Sequence, residues 1–446
     1  MDSFDLPALR ALDAAHHLHP FCDNAALAKR GTRILTRGEG VYVWDQDGNK
    51  LLDAFAGLWC VNIGYGRKEL GRAAAEQMER LCYYNSFFQC TTEPTVKLSA
   101  KLAELAPGDL NYAFFTNSGS EANDTILRLV RHFWAVQGKP EKNIFIGRHN
   151  GYHGSTVAGA SLGGMQGMHK QGGLPIPNIH HINSPYWFGE GGDMDPDEFG
   201  RERARELERK ILELGPERVA AFIGEPIQGA AGVFIPPKTY WPEINRICKQ
   251  YDVLLIPDEV ICGFGRTGEW FAVEHEKVTP DLICLGKALT GGFPLSACVG
   301  SAELMDRAWP ASTGEAIHTS TFLGHPVGCA MALANISELD RRALVKRSRE
   351  VGEELMAQLR SLRSRSCVMP VRGRGLMVGL ELNLPDGKPA TAQCLGLIKR
   401  LLHRGFIFLP EGEHANVLAF TPPLIVTTAQ LGAAVRAVQE ELEATP

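Results

Sequence analysis

No stretch of this chain reaches the roughly 18 consecutive apolar residues that a membrane span needs, so insertion into a bilayer is not expected. There is no Lys/Arg block, and the net charge of −5 is spread with both signs interleaved, which argues against a nucleic-acid partner. The 11 cysteines form no Cys-x-x-Cys pair and follow no regular spacing. Cys284, Cys298 and Cys329 fall inside apolar runs, as packed, reduced thiols do in a cytosolic protein. His275-Glu276 lacks a second histidine at 279, so the His-Glu-x-x-His zinc pattern is absent. The pairs His16-His17 and His180-His181 lack partner ligands at useful spacing, read as structural, and leave no metal site expected. The opening Met1-Asp-Ser-Phe-Asp5 has neither a basic n-region nor an apolar h-region, and a cytoplasmic location is expected.

What is present is a chain of 446 residues, 44% hydrophobic, long enough for about two or three structural domains. Residues 1–30 read as His-rich and irregular, then helical. Residues 34–53 alternate and carry Trp44-Asp-Gln-Asp-Gly48, a hairpin signal. From about 70 to 340, strands and helices take turns. Strands are expected at 112–115, 143–146, 219–223, 253–256, 282–285 and 297–299, and helices at 71–80, 96–105, 121–136, 197–214, 242–250 and 325–339. Such alternation predicts an α/β fold with a mostly parallel sheet. Residues 342–446 read as a smaller α+β unit, and 183–196 as a long ordered loop.

Lys287 is the most informative residue. It follows the apolar run Asp281-Leu-Ile-Cys-Leu-Gly286 and leads into the glycine turn ending at Gly292. Burial lowers an ammonium's pKa and makes it a better amine nucleophile. Asp258 ends the run that begins at Val253, and Glu225 ends the run that begins at Val219. Three ionisable residues at successive strand ends mark the carboxyl edge of one sheet, where ligands bind in open parallel sheets.

Three further segments bear on a ligand. In Thr116-Asn-Ser-Gly-Ser-Glu-Ala-Asn123, Ser118 and Glu121 match a capping box, and the helix start serves either as a plain cap or as an anion seat. In Asn150-Gly-Tyr-His-Gly154, flanking glycines free Tyr152 and His153 to face a cavity, or Tyr152 packs in a turn. Gly263-Phe-Gly-Arg-Thr-Gly268 matches G-x-G-x-x-G, but no convincing helix and no acid about 20 residues on follow it, and it reads as a glycine-rich surface turn.

Taken with Gly224-Glu-Pro-Ile-Gln-Gly229 and Gly286-Lys-Ala-Leu289, these segments resemble, in order and over nearly the whole chain, the class III pyridoxal-phosphate-dependent aminotransferases of fold type I. Ala56-Gly-Leu-Trp-Cys-Val-Asn62, Tyr84-Asn-Ser-Phe-Phe88 and Pro185-Tyr-Trp-Phe-Gly-Glu-Gly-Gly-Asp193 are similar to the amine and ω-amino acid:pyruvate branch, which includes putrescine- and β-alanine-using members. The resemblance implies a seven-stranded-type sheet in a large domain (66–340), and a smaller α+β domain built from both termini (1–65 and 341–446). It also implies a cofactor, pyridoxal 5'-phosphate. Lys287 would form its Schiff base and shuttle a proton, and Asp258 would pair with the pyridine nitrogen. Tyr152 and Val260 would sandwich the ring, Ser118, Gly119 and Ser120 would seat the phosphate, and His153 and Glu225 would lie at the cofactor. Thr321 would add a phosphate contact from a second subunit, so a homodimer with shared sites, or a tetramer built from it, is implied. Trp59, Phe87, Tyr152 and Ala230 match positions lining the substrate pocket.

One departure concerns specificity. Amine:pyruvate members carry an arginine shortly before a Pro-Pro-Leu, and the GABA and acetylornithine branches place one near Ala419. Residues 405–421, before Pro422-Pro-Leu424, contain none. A bidentate carboxylate clamp is thus missing from its usual element. Either His414 or another segment replaces it, or the donor lacks a carboxylate and its distal amine meets Glu411 or Glu413. The expected activity is a ping-pong transamination from a primary amine or ω-amino acid to pyruvate. The alternative keeps the cofactor, with 2-oxoglutarate as acceptor and an ornithine- or GABA-like donor. Readings from other classes are a dinucleotide-dependent oxidoreductase using residues 263–268 and a protein without catalysis.

Overall fold

The computed structural model describes residues 6–364 and 366–444. Its centre is a run of strands whose side chains alternate between two apolar layers. Phe145, Ala221, Ile223, Leu254 and Ile256 point to one face, against Ile126, Val130 and Trp134 of the Gly119–Val136 helix. Ile144, Ile146, Phe222, Val253 and Leu255 point to the other, against the Pro196–Leu214 and Tyr240–Gln250 helices. The period of two along each strand, matched by a helix stripe on each side, makes this a two-faced α/β core. Each fully buried Leu, Ile or Phe contributes roughly 1.5–3 kcal/mol relative to exposure.

Strands Ile179–Ile182, Ile144–Arg148, Val219–Gly224 and Leu254–Pro257 lie side by side, all parallel. A parallel bridge between Asp258 and Cys284 joins them to Leu282–Leu285. Ser296–Ser301 then pairs antiparallel with both Leu282–Leu285 and Leu110–Thr116. Six strands of the seven therefore run one way. The carboxyl ends of Ile144–Arg148, Val219–Gly224, Leu254–Pro257 and Leu282–Leu285 share one edge, from which Glu225, Asp258 and Lys287 follow directly in sequence.

The two ends of the chain meet in a separate sheet. Strand Lys50–Asp53 closes the meander formed with Leu35–Glu39 and Tyr42–Asp45, and it pairs in parallel with Phe406–Ile407. A further antiparallel sheet orders Val371–Arg374, Met377–Glu381, Val417–Phe420 and Pro410–Glu411. Among the described residues no helix is long and apolar enough to cross a membrane.

Four local expectations are corrected. Residues 6–16 form a helix rather than an irregular lead, and a second helix spans Asn24–Arg30. The 183–196 segment contains the short helix Trp187–Glu190, and Tyr186 beside it stacks on Phe234 with ring centroids 3.9 Å apart. The 263–268 glycine segment is buried, not a surface turn. Its Arg266 guanidinium donates to the carbonyls of Leu376 and Pro422 and to Asn62, which ties the segment to the chain before Leu424. No room is left there for a dinucleotide. His17 does find a partner: its Nδ1 lies 3.1 Å from Asp13 Oδ1, and His19 Nε2 lies 3.0 Å from the same carboxylate. Hydrogen bonds from Thr32 first, then His19, hold the Asp13 carboxyl at about 2, and Asp13, His17 and His19 each bring one ligand atom within 4.8 Å of the others, close enough to share a metal ion.

Candidate active site

Asp258 follows Pro257 at the sheet edge, and its main-chain N–H donates to the Gly224 carbonyl. The residue is 3% exposed. Oδ2 accepts from Asn123 Nδ2 at 2.9 Å and from His153 Nδ1 at 2.7 Å, while Oδ1 accepts from Val260 N–H at 3.0 Å. Burial by itself would raise this carboxyl. The His153 hydrogen bond and charge, with the Asn123 amide and Val260 N–H, outweigh it and hold Asp258 below the usual carboxylate range. Its neighbour Glu259 goes the other way: burial pushes it up to about 8, although Val273 N–H donates to it. Adjacent carboxyls are thereby set apart, one anionic and one largely neutral near pH 7.

Lys287 sits where the sheet edge turns away, in a left-handed conformation (φ +43°) that a β-carbon disfavours. Such strain persists where surrounding structure enforces it, commonly at functional sites. The side chain keeps part of its surface open, yet it lies deep in the molecule, and burial lowers the ammonium's pKa despite opposing charges from Cys60, Asp258 and Glu225. Nζ lies 5.5 Å from the Trp59 ring centroid and 5.9 Å from that of Tyr152. Trp59 ends four consecutive left-handed residues, Ala56–Trp59, and its buried Nε1 has no partner among the described residues. A lowered lysine pKa alone would not single out Lys287. Lys142 is also buried, and burial pushes it down to about 8, but it donates to the Pro216 carbonyl at 3.0 Å as an internal brace.

Glu225 closes the floor. It is 2% exposed, with Oε1 accepting from Tyr152 N–H at 2.9 Å and Oε2 from Gly229 N–H at 3.0 Å. Its main-chain carbonyl accepts from Arg148, a buried guanidinium at the end of the neighbouring strand. Burial raises the Glu225 carboxyl.

The helix start at Ser118 resolves into both of its readings. Ser118 Oγ accepts from Glu121 N–H at 3.2 Å, and the Glu121 carboxylate turns back to Asn117 N–H at 2.7 Å. The cap is real, but the first-turn N–H groups of Gly119 and Ser120 have no acceptor within the helix. Glycine is required twice here. A β-carbon on Gly119 would meet Val260 Cγ1 at 2.9 Å, and one on Gly154 (φ +124°) would meet Ser120 Oγ at 2.5 Å. Val260, the Ser118–Ser120 turn and the Tyr152–Gly154 turn are thus pressed around one hollow bounded by Asp258 and Lys287. An anion seat, a buried carboxylate, a flat side chain and an amine match the phosphate, ring nitrogen, ring face and aldehyde of pyridoxal phosphate.

Two expected residues are not brought to this hollow. Thr321 is exposed, and its carbonyl accepts from Tyr83 Oη; no bond joins it to the 118–120 turn among the described residues. Phe87 is half-buried against Phe88, on the same patch, where Ser86 Oγ donates to the Leu323 carbonyl. Ala230 accepts Gly412 N–H at 3.0 Å and lies beside Glu225 and Glu411. Ala419 is packed in an apolar cluster with Trp59, so no carboxylate clamp stands there. His414 and Glu413 are exposed, whereas Glu411 is buried. Asn123 and Arg148 carry site geometry that sequence reasoning did not assign. Asn123 lies 135 positions from its partner Asp258, and no local spacing signals such a pair.

The class III aminotransferase family model matches residues 26–442. The chain is 48% identical to a putrescine–pyruvate aminotransferase of Pseudomonas aeruginosa, over 98% of this chain and 96% of the relative. It is 38% identical to a diaminobutyrate–2-oxoglutarate transaminase of Halomonas elongata, over 93% and 90%. The ω-transaminase of Pseudomonas jessenii, solved in complex with PMP, superposes with a TM-score of 0.94 at 37% identity, covering 97% of each chain. An (S)-enantioselective ω-transaminase of Thermomicrobium roseum gives 0.94 at 38%, covering 99% of each. With the fold, the site and these likenesses in agreement, the chain belongs to the class III aminotransferases, fold type I enzymes that transfer amino groups.

Proposed function

We propose that this chain is a pyridoxal-phosphate-dependent transaminase that takes an amino group from a terminal primary amine, with putrescine as the leading donor, and delivers it to pyruvate in a ping-pong cycle. The observation that carries this reading is the convergence of Lys287 and a hydrogen-bonded, anionic Asp258 on one hollow with a helix-start anion seat. Bound there, pyridoxal phosphate supplies an aldehyde that condenses with amines and a protonated ring that draws electrons from the carbon bearing the nitrogen. Asp258, fixed by His153 and Asn123, keeps a negative charge that would favour the proton of the cofactor's ring nitrogen. Lys287 Nζ, neutral more readily than an exposed lysine, would take a proton from the substrate carbon and pass it to the cofactor in the same half-reaction. Tyr152 and Val260 would hold the ring between them, and the Ser118–Ser120 turn would hold the phosphate.

Several features support the finer parts of this reading. The 48% identical relative is named for putrescine and pyruvate. The 405–421 stretch has no arginine for the second carboxylate of 2-oxoglutarate. Thr321 and Phe87 sit on an outer patch with the exposed rings of Tyr84, Phe88 and Phe322, as residues do that complete a neighbouring subunit's site in a homodimer. All 11 cysteines are free, which fits a reducing cytoplasm. The test is a donor panel of putrescine, β-alanine, GABA and 1-phenylethylamine, each with pyruvate and with 2-oxoglutarate. Alanine formation from putrescine is the expected result. Glutamate formation with no alanine from any donor would move the enzyme to the 2-oxoglutarate reading.

A further inference from the structure

We propose that the Glu411 carboxylate is the seat for the distal ammonium of the donor, and that it makes the site selective for α,ω-diamines over monoamines and over ω-amino acids. This rests on the transaminase reading of the Lys287 site. Glu411 lies on the two-residue strand Pro410–Glu411, whose backbone pairs with Val417 and Leu418. The next residue, Gly412, donates its N–H to the Ala230 carbonyl at 3.0 Å. That bond pins the strand to the turn following Glu225. Gly412 has room only because it is glycine at φ +87°, with the Ala231 carbonyl 3.3 Å from where a β-carbon would stand.

The carboxyl group is out of place by ordinary packing rules. Glu411 is 8% exposed, no hydrogen bond or ion pair to its side chain is seen among the described residues, and its oxygens keep a little open surface. A buried carboxylate without a partner is unfavourable, and natural sequences seldom keep one unless a ligand completes it. Its strand lies against the Ala230–Ala231 turn, and Glu225 and Lys287 are the charged groups near enough to bear on it. Burial pushes it up to about 8, which leaves it largely neutral near pH 7 until a cation arrives. Its neighbours on the same hairpin do not compete for this role: Glu413 is exposed and bonded to Asn150 Nδ2 at 3.3 Å, and His414 is exposed.

A diamine satisfies this arrangement at both ends. One amine would replace Lys287 on the cofactor aldehyde, freeing the lysine, and the other donates charge-assisted hydrogen bonds to Glu411. A monoamine of the same length leaves the carboxyl unpaired. An ω-amino acid brings a second carboxylate towards Glu411 and Glu225, two acids that offer it no cationic partner.

The test uses the full-length holoenzyme with pyruvate as acceptor and compares 1,4-diaminobutane with n-butylamine. In the wild type, kcat/KM for the diamine is expected to exceed that for the monoamine by about 10-fold or more, as loss of a charged hydrogen-bond partner implies. In Glu411→Gln the diamine-to-monoamine ratio should fall by about 10–100-fold, mostly through KM for the diamine. Equal values for the two amines in the wild type would overturn the proposal whether or not the variant folds. A ratio unmoved by Glu411→Gln would overturn it as well, while leaving the transaminase reading standing. If the wild type turned over no amine at all, the transaminase reading itself would fall, and this inference with it.

Discussion

Lys287→Ala is expected to lower transamination by at least about 10⁴-fold, the upper end of what a positioned proton-transfer group supplies. No nearby side chain can take its place. Of the carboxyls that bear on it, Asp258 is held by Asn123, His153 and Val260 and Glu225 by Tyr152 and Gly229, while burial keeps the unbonded Glu411 largely protonated and so a poor base. The variant should nevertheless fold, because the Lys287 side chain makes no hydrogen bond among the described residues and alanine, with the same β-carbon, adds no strain at this left-handed position. Pyridoxal phosphate should still bind, more weakly, through the Ser118–Ser120 turn and Asp258. The check is steady-state turnover together with equilibrium dialysis of the cofactor. Retained multiple turnover would remove Lys287 from the chemistry.

Asp258→Asn is the second large effect. The substitution keeps size and the capacity to accept from Val260 N–H, but it removes the charge that the hollow is built to preserve. Electrostatic stabilisers preorganised in a desolvated site are worth about 10²–10³-fold each, so kcat should fall by that order. The covalent anchoring at Lys287 should survive, because that amine depends on its own burial first and on Asp258 only among several opposing charges. His153 should respond too, since the partner of its Nδ1–H would no longer be anionic. Stopped-flow absorbance of the half-reaction separates the two steps. Near-normal rates in Asp258→Asn would show that a protonated ring nitrogen is not needed here.

The scaffold was legible because its strands are apolar runs ended by charge. Val219–Gly224, Leu254–Pro257 and Leu282–Leu285 each match the expected positions within a residue or two, and each leads into Glu225, Asp258 or Lys287. The strand Ile179–Ile182 escaped notice because two histidines interrupt its apolar character; the parallel pairing with Ile144–Arg148 overrides their weak propensity. The burial of residues 263–268 was invisible for a different reason. A glycine-rich turn reads as surface unless something satisfies its backbone, and the group that anchors it is its own Arg266, reaching carbonyls more than 100 positions away.

The same contrast runs through the site. Lys287 and Asp258 could be found from where runs end, because chemistry at a sheet edge leaves a charge after an apolar segment. Asn123, which fixes the Asp258 carboxylate, could not, since an asparagine inside an amphipathic helix has no distinguishing pattern. Glu411 could be named only as one of two acids near a missing arginine. Burial separates it from Glu413, and burial is a property of the fold.

Borohydride reduction of the purified protein loaded with pyridoxal phosphate, followed by peptide mass mapping, addresses the amine at the centre of the site most directly. A single pyridoxyl adduct on Lys287 is expected, formed before any donor is added and lost when a reactive amine is supplied without an acceptor. An adduct on Lys142 or scattered over exposed lysines, with Lys287 unmodified, would contradict it.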